Sequence, residues 1–166
     1  MLLRLSKIIV TSASALFLLI VVFNNLTDYW SNFHFVQHVL SMDSTFPGNA
    51  AMWHAVPWPI AHHLFYAGII LWEATAGTLI ALGTIKLWQN RAAPAATWQK
   101  AKGLAALGLT ISLFQWYFAF IVVGGEWFLM WQSKTWNGQD AAFRMFAMMG
   151  ISLIYLTMRN DDLDGA

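Results

Sequence analysis

Glu73 is the residue best placed to do chemistry, because it stands near the middle of an apolar run, Trp58 to Lys86, that carries the histidine pair His62 and His63 near its start. A carboxyl in a low-dielectric surrounding disfavours its charged form. An acid at that depth is therefore expected to be protonated at neutral pH unless water or a cation reaches it. At 100° per residue His62, Tyr66, Ile69, Glu73 and Ile80 share one stripe of a helix, and Glu73 lies about 11 residues, roughly 16 Å, from His62 along its axis. Gln115 sits at similar depth on a later apolar run, with Trp72 and Trp116 flanking the same level. Two uses follow. Glu73 and Gln115 could share a neutral hydrogen bond that fixes helix register, worth about 0.6–2 kcal/mol. Alternatively His62, Tyr66 and Glu73 could relay protons or ions. A relay needs another station below Glu73, where only Thr84 and Lys86 lie.

The histidines form a second cluster. His34 and His38, at i and i+4, point the same way on a helix and could hold a divalent metal together with Asp43 and His54. The competing reading makes His34 and His38 the wet face of a surface helix, and His62 and His63 interfacial hydrogen-bonding groups. Cysteine is absent, so thiolate metal sites, iron–sulfur clusters and disulfides are excluded. A bis-histidine haem would need histidines on two spans at matched depth, and one span alone has them. A quinone head group against His62 and Trp58 fits the residue types. No phosphate-binding glycine loop, nucleophile elbow or HExxH is present, so nothing marks the chain as an enzyme and no cofactor is the simplest expectation. A formal charge of +1 with no basic run excludes nucleic acid as a partner.

The elements that must position these residues are membrane spans. Of the 166 residues 58% are hydrophobic and 10% charged, with a mean hydropathy of +0.54, far from soluble averages. The expected fold is all-α: one membrane domain over 1–166, a four-transmembrane-helix bundle with spans at about 6–24, 59–85, 103–123 and 141–158. An external loop over 25–57, a cytoplasmic loop over 86–102 and an external loop over 124–140 join them, and the short acidic tail 159–166 is expected to fray. Arg4, Lys7, Lys86, Arg91, Lys100, Lys102 and Arg159 fall on the side of the termini, against Lys134 and Arg144 opposite. That asymmetry places both termini in the cytoplasm. Trp30, Trp53, Trp58, Trp127, Trp131 and Trp136 crowd the external side, as suits rings seated at an interface.

Within the first external loop, Tyr29, Phe33, Val36, Val39 and Leu40 share one helical face and His34, Gln37, His38 and Ser41 the other, so an amphipathic external helix is expected between spans 1 and 2. Small residues at Ala101, Ala105, Gly108 and Ser112 on the third span, and at Ala76, Gly77 and Ala81 on the second, predict close packing of those two helices. Glu126 and Arg144 are candidates for an interfacial ion pair.

The stretch Asn24-Asn25-Leu26-Thr27-Asp28-Tyr29, followed by Phe35-Val36-Gln37-His38-Val39-Leu40-Ser41-Met42-Asp43, resembles a bacterial family of predicted small integral membrane proteins of unknown function. The similarity runs nearly end to end. It implies a bacterial inner membrane location, a multi-pass fold of four spans, and an external motif of Asn24, Asn25, Asp28, His34, His38 and Asp43, with no activity attached. Beyond the lipid bilayer, the leading functional expectation is an accessory or assembly subunit of a larger membrane complex, or a self-associating protein, because the chain is small and has one buried acid. The alternatives are a membrane redox or quinone-linked protein using His62, Trp58 and Glu73, and a proton-coupled transporter using Glu73.

Overall fold

A computed structural model describes residues 1–159 and 161. Helices α1 (Leu2–Thr27) and α2 (Tyr29–Ser41) are separated by Asp28, and a short 3-10 turn, Met52–His54, leads to α3 (Pro59–Gln89). A short α4 (Ala95–Ala101) precedes α5 (Gly103–Phe114), which continues without a break into a π-helical segment, Gln115–Trp127. A second 3-10 turn, Met130–Gln132, and α6 (Gln139–Thr157) complete the order. Leu2–Thr27, Pro59–Gln89, Ala95–Trp127 and Gln139–Thr157 are each long and apolar enough to cross a membrane. Except for Arg159 and Asp161, the tail expected to fray lies outside the described residues.

Local chemistry explains the boundaries. Pro59 occupies the first turn of α3, where its missing N–H costs nothing, and Pro94 opens α4 for the same reason. Met42 stops α2 in a left-handed conformation, φ 54°, with its N–H returned to Val39 O. α2 buries Phe33, Val36, Val39 and Leu40 and exposes His34.

α3 is the hub, touching α1, α2, α4 and α5. Glycines permit the closest approaches. A Cβ on Gly83 would lie 2.3 Å from Ala105 N, and one on Gly108 would lie 2.7 Å from Ile80 Cγ1 and 2.9 Å from Ala76 O. Without hydrophobic contrast against lipid, such backbone contact is what van der Waals attraction can use. Ala105, Gly108, Ser112 and Gln115 therefore turn inward on α5, facing Ala76, Ile80 and Gly83 of α3. One core joins Leu18, Ile80, Leu87, Leu109 and Met149 at the end holding the start of α1 and the end of α6. A second joins Phe33, Leu40, Tyr66, Phe128 and Met130 at the α2 end.

Two features depart from the sequence expectation. Glu126 and Arg144 are both exposed, and no ion pair joins them among the described residues. The third apolar run is not a uniform α-helix: its ladder widens at Gln115, where Trp72 Nε1 donates to Ile111 O (3.0 Å), a carbonyl that also receives the Gln115 N–H. A side chain competing for a ladder carbonyl is an identifiable cause of such a change, and π segments concentrate at functional sites.

At the terminal end a charged knot ties the chain together. The Lys7 and Lys102 ammonium groups both donate to Asp161 and to Met158 O, and Gln99 Nε2 adds a further bond to Asp161. Lys7, Lys102 and Asp161 are all buried, while the Arg4 guanidinium lies over the Trp98 ring at 5.2 Å.

Candidate functional site

Glu73, on the middle of α3, is 2% exposed, and its carboxyl meets α1 rather than α5. Asn25 Nδ2, from the last turn of α1, donates to Glu73 Oε2 at 2.9 Å. Asn25 in turn accepts at Oδ1 from Asn32 Nδ2 (2.7 Å), and its backbone carbonyl receives the Tyr66 hydroxyl at 3.5 Å. Asn25 is buried and Asn32 is exposed, so two amides connect the acid to the surface at the α2 end. Buried amides rarely persist unless both ends are satisfied, and here each is.

The expected Glu73–Gln115 bond is absent. Gln115 Nε2 donates to Ile69 O (3.3 Å), and its Oε1 has no donor. The carboxyl turns away because Asn25 of α1 reaches it first on the buried stripe of α3. Nor does His62 reach Glu73: it is buried one turn before Tyr66, and its Nε2 lies 2.7 Å from Val56 O, which fixes the loop entering α3. Trp58, the other residue expected to meet a quinone head, is exposed.

Glu73 opens instead onto a cavity of about 450 Å³, lined by Asn25, Tyr66, Glu73, Trp116, Phe120 and Trp136 among others. That volume lies within the range of small-molecule sites. Glu73 Oε1 receives no donor among the described residues and is not sealed from the cavity, whereas the indole N–H of Trp116, also without a partner among the described residues, is buried within the wall. The lining contains no Lys, Arg or His among the described residues, so the acid has no counter-charge within the cavity.

The remaining motif residues separate into local roles. Asp28 accepts from Ser31 Oγ at 2.7 Å near the start of α2, and Asn24 is exposed. His38 Nδ1 pairs with Asp43 Oδ2 at 2.7 Å and stacks on Trp136, ring centroids 4.4 Å apart. His34 meets Gln37 (3.3 Å), and His54 meets Trp127 O (2.7 Å) while stacking on the same indole. Tyr29 O–H reaches His63 Nδ1 at 2.7 Å. Burial pushes the Tyr29 phenol up, which keeps its hydroxyl protonated. Among the described residues no three His, Asp or Glu side chains converge to hold a metal. Apart from the single His38–Asp43 pair, none of His34, His38, Asp43 and His54 thus meets another of the four. The helical spacing of His34 and His38 carries no information about what approaches from other elements.

Asn32 and Phe120 enter the site without a signal in the sequence reading, and Trp136 appeared there only among the external tryptophans. Asn25 appeared there as part of a motif, not as the partner of Glu73. An amide at the end of an apolar run was the available clue.

The chain matches, over residues 3–159, the model of a family described as predicted small integral membrane protein (DUF2165). No curated protein and no solved structure matches it. Residues 3–159 cover nearly the whole chain, and the four membrane-length helices agree with the family's description: the chain belongs to this family of predicted small integral membrane proteins.

Proposed function

We propose that this is a four-span bundle of the bacterial inner membrane, termini cytoplasmic and α2 lying on the external side, and that its working part is the Glu73 cavity, a binding site for a small molecule. The supporting observation is the Glu73 carboxyl itself, one oxygen held by Asn25 and the other without a donor among the described residues, on the wall of a 450 Å³ space. The charge asymmetry of the loops supports the orientation.

Binding is favoured over proton transport by distance. The next ionisable group below Glu73 on α3 is Lys86, 13 residues on and therefore about 20 Å away, too far for a single transfer. The accessory-subunit reading draws on size and on the lack of a cofactor motif, and the cavity moves ligand binding ahead of it.

Dicyclohexylcarbodiimide, an apolar reagent that adds to protonated carboxyls in membranes and rearranges to a stable N-acylurea, tests the reading. In native membranes Glu73 is expected to be modified, as seen by mass spectrometry of its peptide, and Glu73→Gln should reduce label on that peptide to background. An unmodified Glu73 would mean that the acid is sealed as a helix-register bond and that the cavity is not a working site.

A further inference from the structure

A second cavity, of about 460 Å³, adjoins the first. Leu64, Phe65, Gly68 and Trp72 of α3 and Phe118 and Val123 of the π segment form its walls. It is almost wholly apolar and is walled by α2 as well as by two helices of membrane-crossing length, with Leu64, Phe65 and Phe118 exposed on its rim. On the four-span arrangement proposed above, that rim faces hydrocarbon rather than water. Phe35, Val36, Ile69 and Phe120 line both cavities. A single layer of side chains parts them, and within it the Phe35 and Phe120 rings stack at 6.3 Å and 18°.

This juxtaposition restricts what the Glu73 cavity can hold. A phospholipid head would bring a phosphate anion into a low-dielectric lining that offers no base to pair with it. A quaternary ammonium would suit the aromatic walls, yet it needs an ionised carboxylate, and an acid at this depth favours its protonated form. A flat ring bearing oxygens answers a protonated carboxyl. One oxygen accepts from the Glu73 carboxyl, while Phe120, Tyr66, Trp116 and Trp136 offer ring faces and edges. The apolar cavity then takes the substituent that keeps such a molecule in the bilayer.

We propose that the occupant is a lipid-soluble quinone or quinol, its ring between Glu73 and Trp116 and its tail in the apolar cavity lined by Gly68, joined past Phe35 and Phe120. The inference rests on the Glu73 cavity being a binding site and adds the ligand's class and its route. Entry is from the bilayer, by a swing of Phe120 or Phe35.

Gly68 supplies the discriminating variant, because a Cβ added there meets nothing within 4 Å. Leucine at this position enlarges the wall of the tail cavity from a Cβ that itself meets no neighbour. The full chain in phosphatidylcholine nanodiscs is loaded with decylubiquinone, repurified, and its quinone counted by chromatography against empty discs. In parallel, decylubiquinone and tail-less ubiquinone-0 are tested as protectants of Glu73 against carbodiimide. Expected are about one retained decylubiquinone per chain, at least tenfold weaker retention in Gly68→Leu and Glu73→Gln, and ubiquinone-0 protection that is weak but equal in wild type and Gly68→Leu. Retention unchanged by Gly68→Leu would overturn the tail site. Retention at the level of empty discs, with Glu73 still modified by carbodiimide, would overturn the quinone while the cavity reading stands. If Glu73 is also unmodified, both fall.

Discussion

Asp161→Asn is expected to lower the melting temperature of the purified protein by on the order of 10 °C. Lys7, Lys102 and Asp161 are buried together, and removing the carboxylate leaves two ammonium groups facing one another with only carbonyl and amide partners. Breaking a buried pair from one side costs about 3–5 kcal/mol, and each kcal/mol moves the midpoint of a chain this size by about 2–4 °C. A melt within 2 °C of wild type would show that the knot contributes little. The same group sets an acid limit. Burial by itself would raise the Asp161 carboxyl, but hydrogen bonds from Lys102 and Lys7 outweigh it and hold the group below its ordinary 3.8. A depressed carboxylate contributes stability that is fully present above its unfolded value and is lost as pH falls through the folded one. The wild-type advantage over Asp161→Asn should therefore be constant from neutral pH down to about 5 and shrink below about 4. Melts at a series of pH values check this, and an advantage still undiminished at pH 2 would contradict it.

Gly83→Ala should also destabilise, by about 2 kcal/mol net. Alanine is intrinsically better in a helix by about 0.5–1 kcal/mol, which opposes the loss. The added Cβ would sit 2.3 Å from Ala105 N and 2.6 Å from Ala105 Cα, against backbone that cannot rotate aside. Forcing such an overlap costs about 1–3 kcal/mol or more, and here relief requires α3 and α5 to separate along their whole contact. Gly68→Ala is the control: with open space around its Cβ it should gain the propensity and melt at or above wild type. If Gly83→Ala melts with Gly68→Ala, α3 and α5 do not approach at this glycine.

How far the site was legible can be judged residue by residue. Glu73 was conspicuous because an acid in a membrane-length apolar helix is costly, and cost is a property of composition. Its partner was not. Gln115 matched Glu73 in depth, but depth is one coordinate of three, and Asn25 won because α1 packs on the face of α3 that carries the acid. His62 shared the stripe of Glu73 on a helical wheel, yet a loop carbonyl, Val56 O, claimed it. The four metal candidates had suitable side chains and one helical spacing, but they lie among partners set by separate segments.

Local order along the chain therefore determined what local physics controls: four membrane-length helices, the proline start of α3, an acid at mid-helix, small residues where helices can meet, and membership of a membrane-protein family. Tertiary structure decided which helix faces which, and with it everything that needs two segments at once. The Glu73–Asn25–Asn32 chain, the widening of α5 beside Trp72, the two cavities sharing Phe35 and Phe120, and the Lys7–Asp161–Lys102 knot all join residues far apart in sequence. The reason is physical: periodicity reports one helix's buried face, whereas a site is the meeting of several faces, and that meeting depends on rotations and offsets that only packing resolves.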